Sequence, residues 1–246
     1  MGMGTPMGPS FASDPKGALE FFNEYGYQIE PDVHSAAECR ELIEASHRLS
    51  DYGNGNLTPA MQAHRYDPRF MLAFSNPKIV SIMEMLLSGK VSGLQTEIFY
   101  CPPGTPGFSL HQDNFYAEVV RGGFATAWCP LQDVTSENGG LIVYPRSHQL
   151  PLLPVEPVPD RPAATPHQDP NAAQIQCVLP TGFEPVNAEI TLGCALFIHG
   201  FLVHGSNQNR STDRYRHVFL GTYVRQGEKF RAGNYAKREE VNVYRT

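Results

Sequence analysis

The chain has 246 residues, enough for one large domain with a substantial core. Hydrophobic residues make up 41% and charged residues 18%, with a net charge of −6 and no stripe of Lys or Arg, which argues against a nucleic-acid surface. No apolar run approaches the roughly 20 residues a membrane span needs, and 22 Gly with 21 Pro favour loop-rich β-structure over a helix bundle.

The segment Met1 to Ser10 is rich in Gly, Met and Pro and lacks the basic and apolar regions of a signal peptide. Residues 1–10 are therefore expected to form a disordered tail, and residues 11–246 a single domain in the cytoplasm. Cysteine usage agrees. Cys39, Cys101, Cys129, Cys177 and Cys194 are odd in number and show no C-x-x-C spacing, so reduced thiols are expected.

Three helices are predicted next. After Ser13-Asp14-Pro15, the residues Ala18, Leu19, Phe22 and Tyr25 recur at helical spacing, and Gly26 ends the run. A second helix follows Ser35, with Cys39, Leu42, Ile43 and His47 on one face. A third starts at Asn76-Pro77 and buries Ile79, Ile82, Met83 and Leu86.

From Val91 onward, short β-branched and aromatic segments alternate with Gly, Pro, Asn and Asp. The predicted strands are 94–100, 124–131, 140–144, 188–191, 195–199 and 217–224. Short strands at regular spacing indicate a sandwich or barrel, and helices before strands indicate an α+β domain, mainly β, in which helices brace a β-core. Pro151 to Pro170, with seven prolines, interrupts the rhythm as a long irregular loop of the kind that is functional or disordered.

In Leu110-His111-Gln112-Asp113, residues two apart on a strand share a face, so His111 and Asp113 can reach one ion. His204, in Leu202-Val203-His204-Gly205-Ser206, can supply a third ligand. Two histidines and a carboxylate on one face leave the opposite positions open, as iron(II) requires when a chelating cosubstrate and O2 must also bind. A lone H-x-D is a weak signal, and a histidine in an apolar strand is often a hydrogen-bonded core residue. Spacing alone leaves both readings open.

Four further motifs bear on the choice. They are His111-Gln112-Asp113 with Tyr116; Ala127-Trp128; Asp133 and Asn138-Gly139-Gly140 with Pro145-Arg146-Ser147-His148; and His199 with His204-Gly205-Ser206, Asn209 and Ser211. In their order and spacing, from about residue 94 to 223, they resemble the phytanoyl-CoA dioxygenase family of iron(II)/2-oxoglutarate oxygenases. The resemblance implies a double-stranded β-helix (a cupin-like jelly roll), with the N-terminal helices on the outer face of the larger sheet. It also implies His111, Asp113 and His204 as the iron ligands, and Fe(II), 2-oxoglutarate and O2 as cofactor and cosubstrates. Arg146 stands where the family usually has Gly.

The distal carboxylate of 2-oxoglutarate calls for an arginine. Arg214 and Arg216 share strand parity, and family register favours Arg216, with one residue more than usual after His204. The resemblance adds Trp128 and Ser206 as cosubstrate neighbours, while core packing and turn capping remain open for them. Gln95 and Glu97 alternate on the strand that enters the site; Gln95 is placed in the cosubstrate set. Cys101 stands where relatives often carry Lys. His199 is read as core and His148 as a turn residue.

The expected activity is hydroxylation of a small metabolite or natural-product intermediate, with release of succinate and CO2 and no general base. Two other readings are a cupin-like metal enzyme that does not use 2-oxoglutarate and an inactive binding module. No basic cluster suits the phosphates of an acyl-CoA. Pocket residues are expected from the 151–170 loop, from the region of Tyr116 and from Gln62–Tyr66.

Overall fold

Short polar side chains set the helix starts in the N-terminal third of the computed structural model, which describes residues 7–49, 60–159 and 174–244. α1 (Pro15–Tyr25) is capped by Asp14, whose carboxylate accepts from the Gly17 N–H, and it ends at Gly26 in the left-handed region. The cap lies one residue after Ser13 because Pro15 takes the first helical position, where its missing N–H costs nothing. α2 (Ala36–Ser46) begins with a full capping box between Ser35 and Glu38. α3 (Pro68–Phe74) and α4 (Pro77–Leu86) begin at Asp67 and Asn76. α3 has only seven residues, too few to establish a helical period, and was not foreseen.

The strands follow in chain order. β1 (Tyr27–Glu30) and β2 (Ala60–Met61) lie among the helices. β3 (Val91–Cys101) precedes the one-turn helix α5 (Asn114–Ala117), and β4 (Phe124–Pro130) and β5 (Leu141–Val143) come next. Then come β6 (Val155–Pro157), β7 (Ile175–Cys177), β8 (Val186–Ala188), β9 (Ala195–His199), β10 (His204–Ser206) and β11 (Arg216–Arg225). They form a six-stranded sheet in the order β1-β9-β4-β11-β3-β2, a three-stranded sheet β10-β5-β8, and a ribbon of β6 with β7. Every pairing in them is antiparallel.

Alternation along the strands separates two cores. Outward residues Ala125, Ala127, Phe197, Phe219 and Tyr223 meet Phe22, Leu42, Phe74 and Met83 of the helices. Inward residues Trp128, Leu196, Ile198 and Val218 of the large sheet meet Leu141, Val143 and Ala188 of the small one. The helices thus cover one face of the large sheet, as expected, and the small sheet covers the other. Among the described residues no helix is long and apolar enough to cross a membrane.

Four features depart from expectation. Residues 7–10 of the expected tail are ordered against the fold, because the buried Gln28 amide needs an acceptor and takes the Pro9 carbonyl; residues 1–6 lie outside the described residues. β1 was not foreseen, since its four residues carry too little pattern. The 151–170 segment contains β6, which pairs with β7; its residues 160–170 lie outside the described residues. The strand expected at 188–191 is shifted to Val186–Ala188, and Ile190 forms a separate bridge to Val134.

Candidate metal centre

His111 and His204 are opposed residues of an antiparallel bridge between the segment before α5 and β10. The His111 N–H donates to the His204 carbonyl at 2.9 Å, and the His204 N–H returns the bond at 3.0 Å. Their rings lie 4.3 Å apart. Asp113 Oδ1 is 3.4 Å from His111 Nε2 and 3.6 Å from His204 Nε2. One ligand atom from each residue lies within 4.8 Å of the others.

The strand parity assumed for His111 and Asp113 does not hold. Asp113 has helical dihedrals (φ −55°, ψ −34°) and opens α5. The chain turns at Gln112, whose buried amide donates to the Phe201 carbonyl and accepts from the Leu153 N–H. Thr126 on β4 then fixes the carboxylate, donating to Asp113 Oδ2 at 2.6 Å.

The donor set fits a divalent cation. His111 Nδ1 is 2.8 Å from the Ser109 carbonyl and His204 Nδ1 is 3.0 Å from that of Leu202. A carbonyl only accepts, so each Nδ1 carries the proton and each Nε2 presents a lone pair to the Asp113 carboxylate. Burial first, and then His111, lower the His204 ring to about 4, which keeps it neutral at physiological pH. Burial alone would raise the Asp113 carboxyl, but His204, His111 and Thr126 outweigh it and hold the group well below the usual carboxylate range. Two lone pairs and an anion facing one point are stabilised by a cation there.

On the inner face of the large sheet, Arg216 opens β11 and is 3% exposed. Its Nη2 donates to Cys101 Sγ at 3.0 Å and its Nη1 to the Gly139 carbonyl, while its Nε has no partner. Gly139 is left-handed (φ 92°), which glycine alone adopts freely. Its turn is tied by Asn138, whose amide reaches the Asp133 and Tyr215 carbonyls. The Asn138-Gly139-Gly140 motif therefore presents a carbonyl to Arg216. A buried guanidinium whose partners are all neutral fits an incoming carboxylate.

Arg214 lies before β11 begins, so the shared parity fails there too. Its side chain is 40% exposed and pairs with Glu137. Ser206 is buried, and its hydroxyl accepts from the Phe108 N–H at 2.8 Å, leaving its own proton to donate. Trp128 packs in the inner cluster beside Leu220 and Val218. Gln95 lies six residues along β3 from Cys101, the partner of Arg216, roughly 20 Å at the strand rise; its register partner is Thr222, at the metal end. Glu97, half-buried, accepts from the Gln95 amide, and burial followed by Asp113 pushes its carboxyl up to about 7. His199 faces outward, its ring 5.0 Å from that of His148 and tilted by 58°. Its Nδ1 accepts from the Phe201 N–H, which fits the expected core role. Tyr116 and Gln112 border a cleft walled by Leu153, Val155 and Ile175.

Thr126 and Gln112 were missed in the sequence. Thr126 is two residues from Trp128, so strand parity could have placed it inside. Thr126→Val is expected to lower metal affinity about 10–100-fold, the usual effect of losing a group that orients a ligand, without changing the ligand set. Metal titration of the two proteins checks this, and equal affinities would remove the hydroxyl from the centre.

The family model of phytanoyl-CoA dioxygenase (PhyH) matches residues 22–218. The peroxisomal phytanoyl-CoA dioxygenase of Bos taurus is 26% identical over 147 residues, 55% of this chain and 40% of that protein. A probable phytanoyl-CoA dioxygenase of Caenorhabditis elegans is 27% identical over 166 residues, 59% of this chain and 47% of that protein. The matched stretch thus spans less than half the length of these curated relatives. Among solved structures, the non-heme alpha ketoglutarate dependent epimerase SnoN from nogalamycin biosynthesis has a TM-score of 0.71 at 21% identity, covering 89% of this chain and 86% of that one. EvdO2 of Micromonospora carbonacea var. aurantiaca, complexed with 2-oxoglutarate, has a TM-score of 0.71 at 21% identity, covering 88% and 92%.

Proposed function

This chain belongs to the phytanoyl-CoA dioxygenase family of iron(II)/2-oxoglutarate oxygenases, and from that premise we propose that it hydroxylates a small molecule inside a double-stranded β-helix. The observation that carries the reading is the pairing of two unmet charges in one barrel. At one end, His111, Asp113 and His204 converge on a point that calls for a cation. At the other, the buried Arg216 guanidinium calls for an anion. 2-Oxoglutarate, a chelator at one end and a carboxylate at the other, meets both.

When bound, iron(II) with 2-oxoglutarate and O2 supplies the oxidation, and 2-oxoglutarate leaves as succinate and CO2. The protein positions and shields. His111, Asp113 and His204 occupy one side of the centre and leave the opposite side open. Arg216 holds the distal carboxylate, and Ser206 donates its free proton beside it. Trp128, Val218 and Leu220 keep water from the space between. No side chain has to act as a general base. A cupin-like enzyme without 2-oxoglutarate would have no use for a buried, uncompensated Arg216.

The test is incubation with iron(II), 2-oxoglutarate and a panel of small molecules. Succinate formation stimulated by a panel member, and dependent on iron, is the expected result. Consumption of a substrate with no succinate formed would favour the cupin-like alternative.

Hydroxylation rather than halogenation follows from Asp113. A halide would have to take the coordination position of that carboxylate and leave it buried without a counter-charge. Turnover in excess chloride or bromide is expected to give no halogenated product by mass spectrometry, and such a product would remove Asp113 from the ligand set.

A further inference from the structure

Two buried oxygen acceptors on adjacent, inward-facing strand positions have no donor, and a carboxyl beside them has a single one. Gln95 is 3% exposed and Thr222 is 5% exposed, and Gln95 Oε1 and Thr222 Oγ1 both lack hydrogen-bond partners. The two residues are direct register partners across β3 and β11, which places their side chains in contact range. Glu97 lies two residues from Gln95 on the same face. Its one hydrogen-bond partner among the described residues is the Gln95 amide, and none of the ion pairs among those residues includes it. Arg238 acts on it through space, but that guanidinium donates to the carbonyls of Tyr116 and Arg231.

The orientation of Gln95 follows from Glu97. The Gln95 NH2 faces the Glu97 carboxyl, so the amide oxygen is turned away from it. The patch also adjoins the reacting centre. Thr222 pairs across the sheet with Thr126, and Thr126 donates to Asp113.

We propose that Glu97, Gln95 and Thr222 form a subsite for a primary ammonium group of the substrate. The proposal rests on the oxygenase reading, because it takes the barrel interior to be the substrate chamber. A primary ammonium carries three donors and one positive charge, and the patch offers three oxygens, one of them on a carboxyl that the ammonium would hold ionised. An anionic head group would meet Glu97 and Asp113 with like charge. A neutral alcohol could satisfy Gln95 and Thr222 but would supply no charge to hold Glu97 ionised. Unpaired buried acceptors discriminate strongly in favour of the ligand that pairs them.

The test uses three probes that share a chain and differ in head group: n-butylammonium, n-butanol and butyrate. Each is titrated calorimetrically into the full chain loaded with manganese(II) and 2-oxoglutarate, and again into the metal-free protein. Saturable binding is expected for n-butylammonium alone. Glu97→Gln, which keeps the shape and removes the charge, is expected to weaken it at least tenfold. Thr222→Val is expected to weaken it severalfold, and an unfolding temperature near wild type shows that each variant is folded. Failure of n-butylammonium to bind, equal binding of the three probes, or unchanged affinity in Glu97→Gln would overturn the subsite. Failure of the wild type to bind manganese and 2-oxoglutarate would instead overturn the oxygenase reading, and the metal-free titration would still decide the subsite.

Discussion

Asp113→Ala is expected to abolish iron-dependent succinate formation and to leave purified protein with little bound metal. The carboxylate is the single anionic ligand of the set, and the two neutral imidazoles cannot balance a divalent charge. His111→Ala and His204→Ala are expected to reduce activity to background as well, since each removes one of three ligands. The fold should survive all three changes. The backbone of Asp113 is held by α5, and the bridge between residues 111 and 204 uses main-chain groups. Metal analysis, succinate yield and thermal unfolding of the four proteins check the result together. Full activity in any one variant would remove that residue from the centre.

Arg216→Ala is expected to raise the half-saturating concentration of 2-oxoglutarate far more than Arg214→Ala does. Losing a buried, charged hydrogen bond costs about 2–5 kcal/mol in binding, well over tenfold in affinity. Arg214 pairs with Glu137 at the surface, where such contacts contribute ~0–1 kcal/mol and do not face the barrel. Arg216→Ala should also leave the fold intact, because it removes a buried cation that has only neutral partners. Succinate formation as a function of 2-oxoglutarate concentration measures both variants. The reverse ranking would show that the cosubstrate lies two residues away from the assigned register.

Much of this was legible in the sequence, for identifiable reasons. The long, strongly patterned elements α1, α2, α4, β3, β4, β9 and β11 carry enough periodicity to be read directly. β1 and β2, of four and two residues, are too short to show alternation, and the seven residues of α3 make less than two full helical turns. His111, Asp113 and His204 do converge, but not through the strand alternation expected of His111 and Asp113, because the chain turns into a helix there. The same assumption failed to separate Arg214 from Arg216, whose difference is that β11 begins between them. Thr126, the Gly139 carbonyl and the Cys101 thiol act through contacts between segments far apart in the chain. One sequence without its fold does not show which of these groups meet.

The reciprocal main-chain bonds between His111 and His204 have a consequence for metal selection. Two of the three donors sit on a clasp closed by main-chain bonds that need no ion, so little reorganisation is expected on loading. A preset cage of this kind cannot tighten around one ion and relax around another. Intrinsic preference among divalent first-row ions then follows the general order in which copper and zinc bind more firmly than iron(II). Occupancy by iron is thus decided by the supply of ions in the compartment where the chain matures, not by the cage itself.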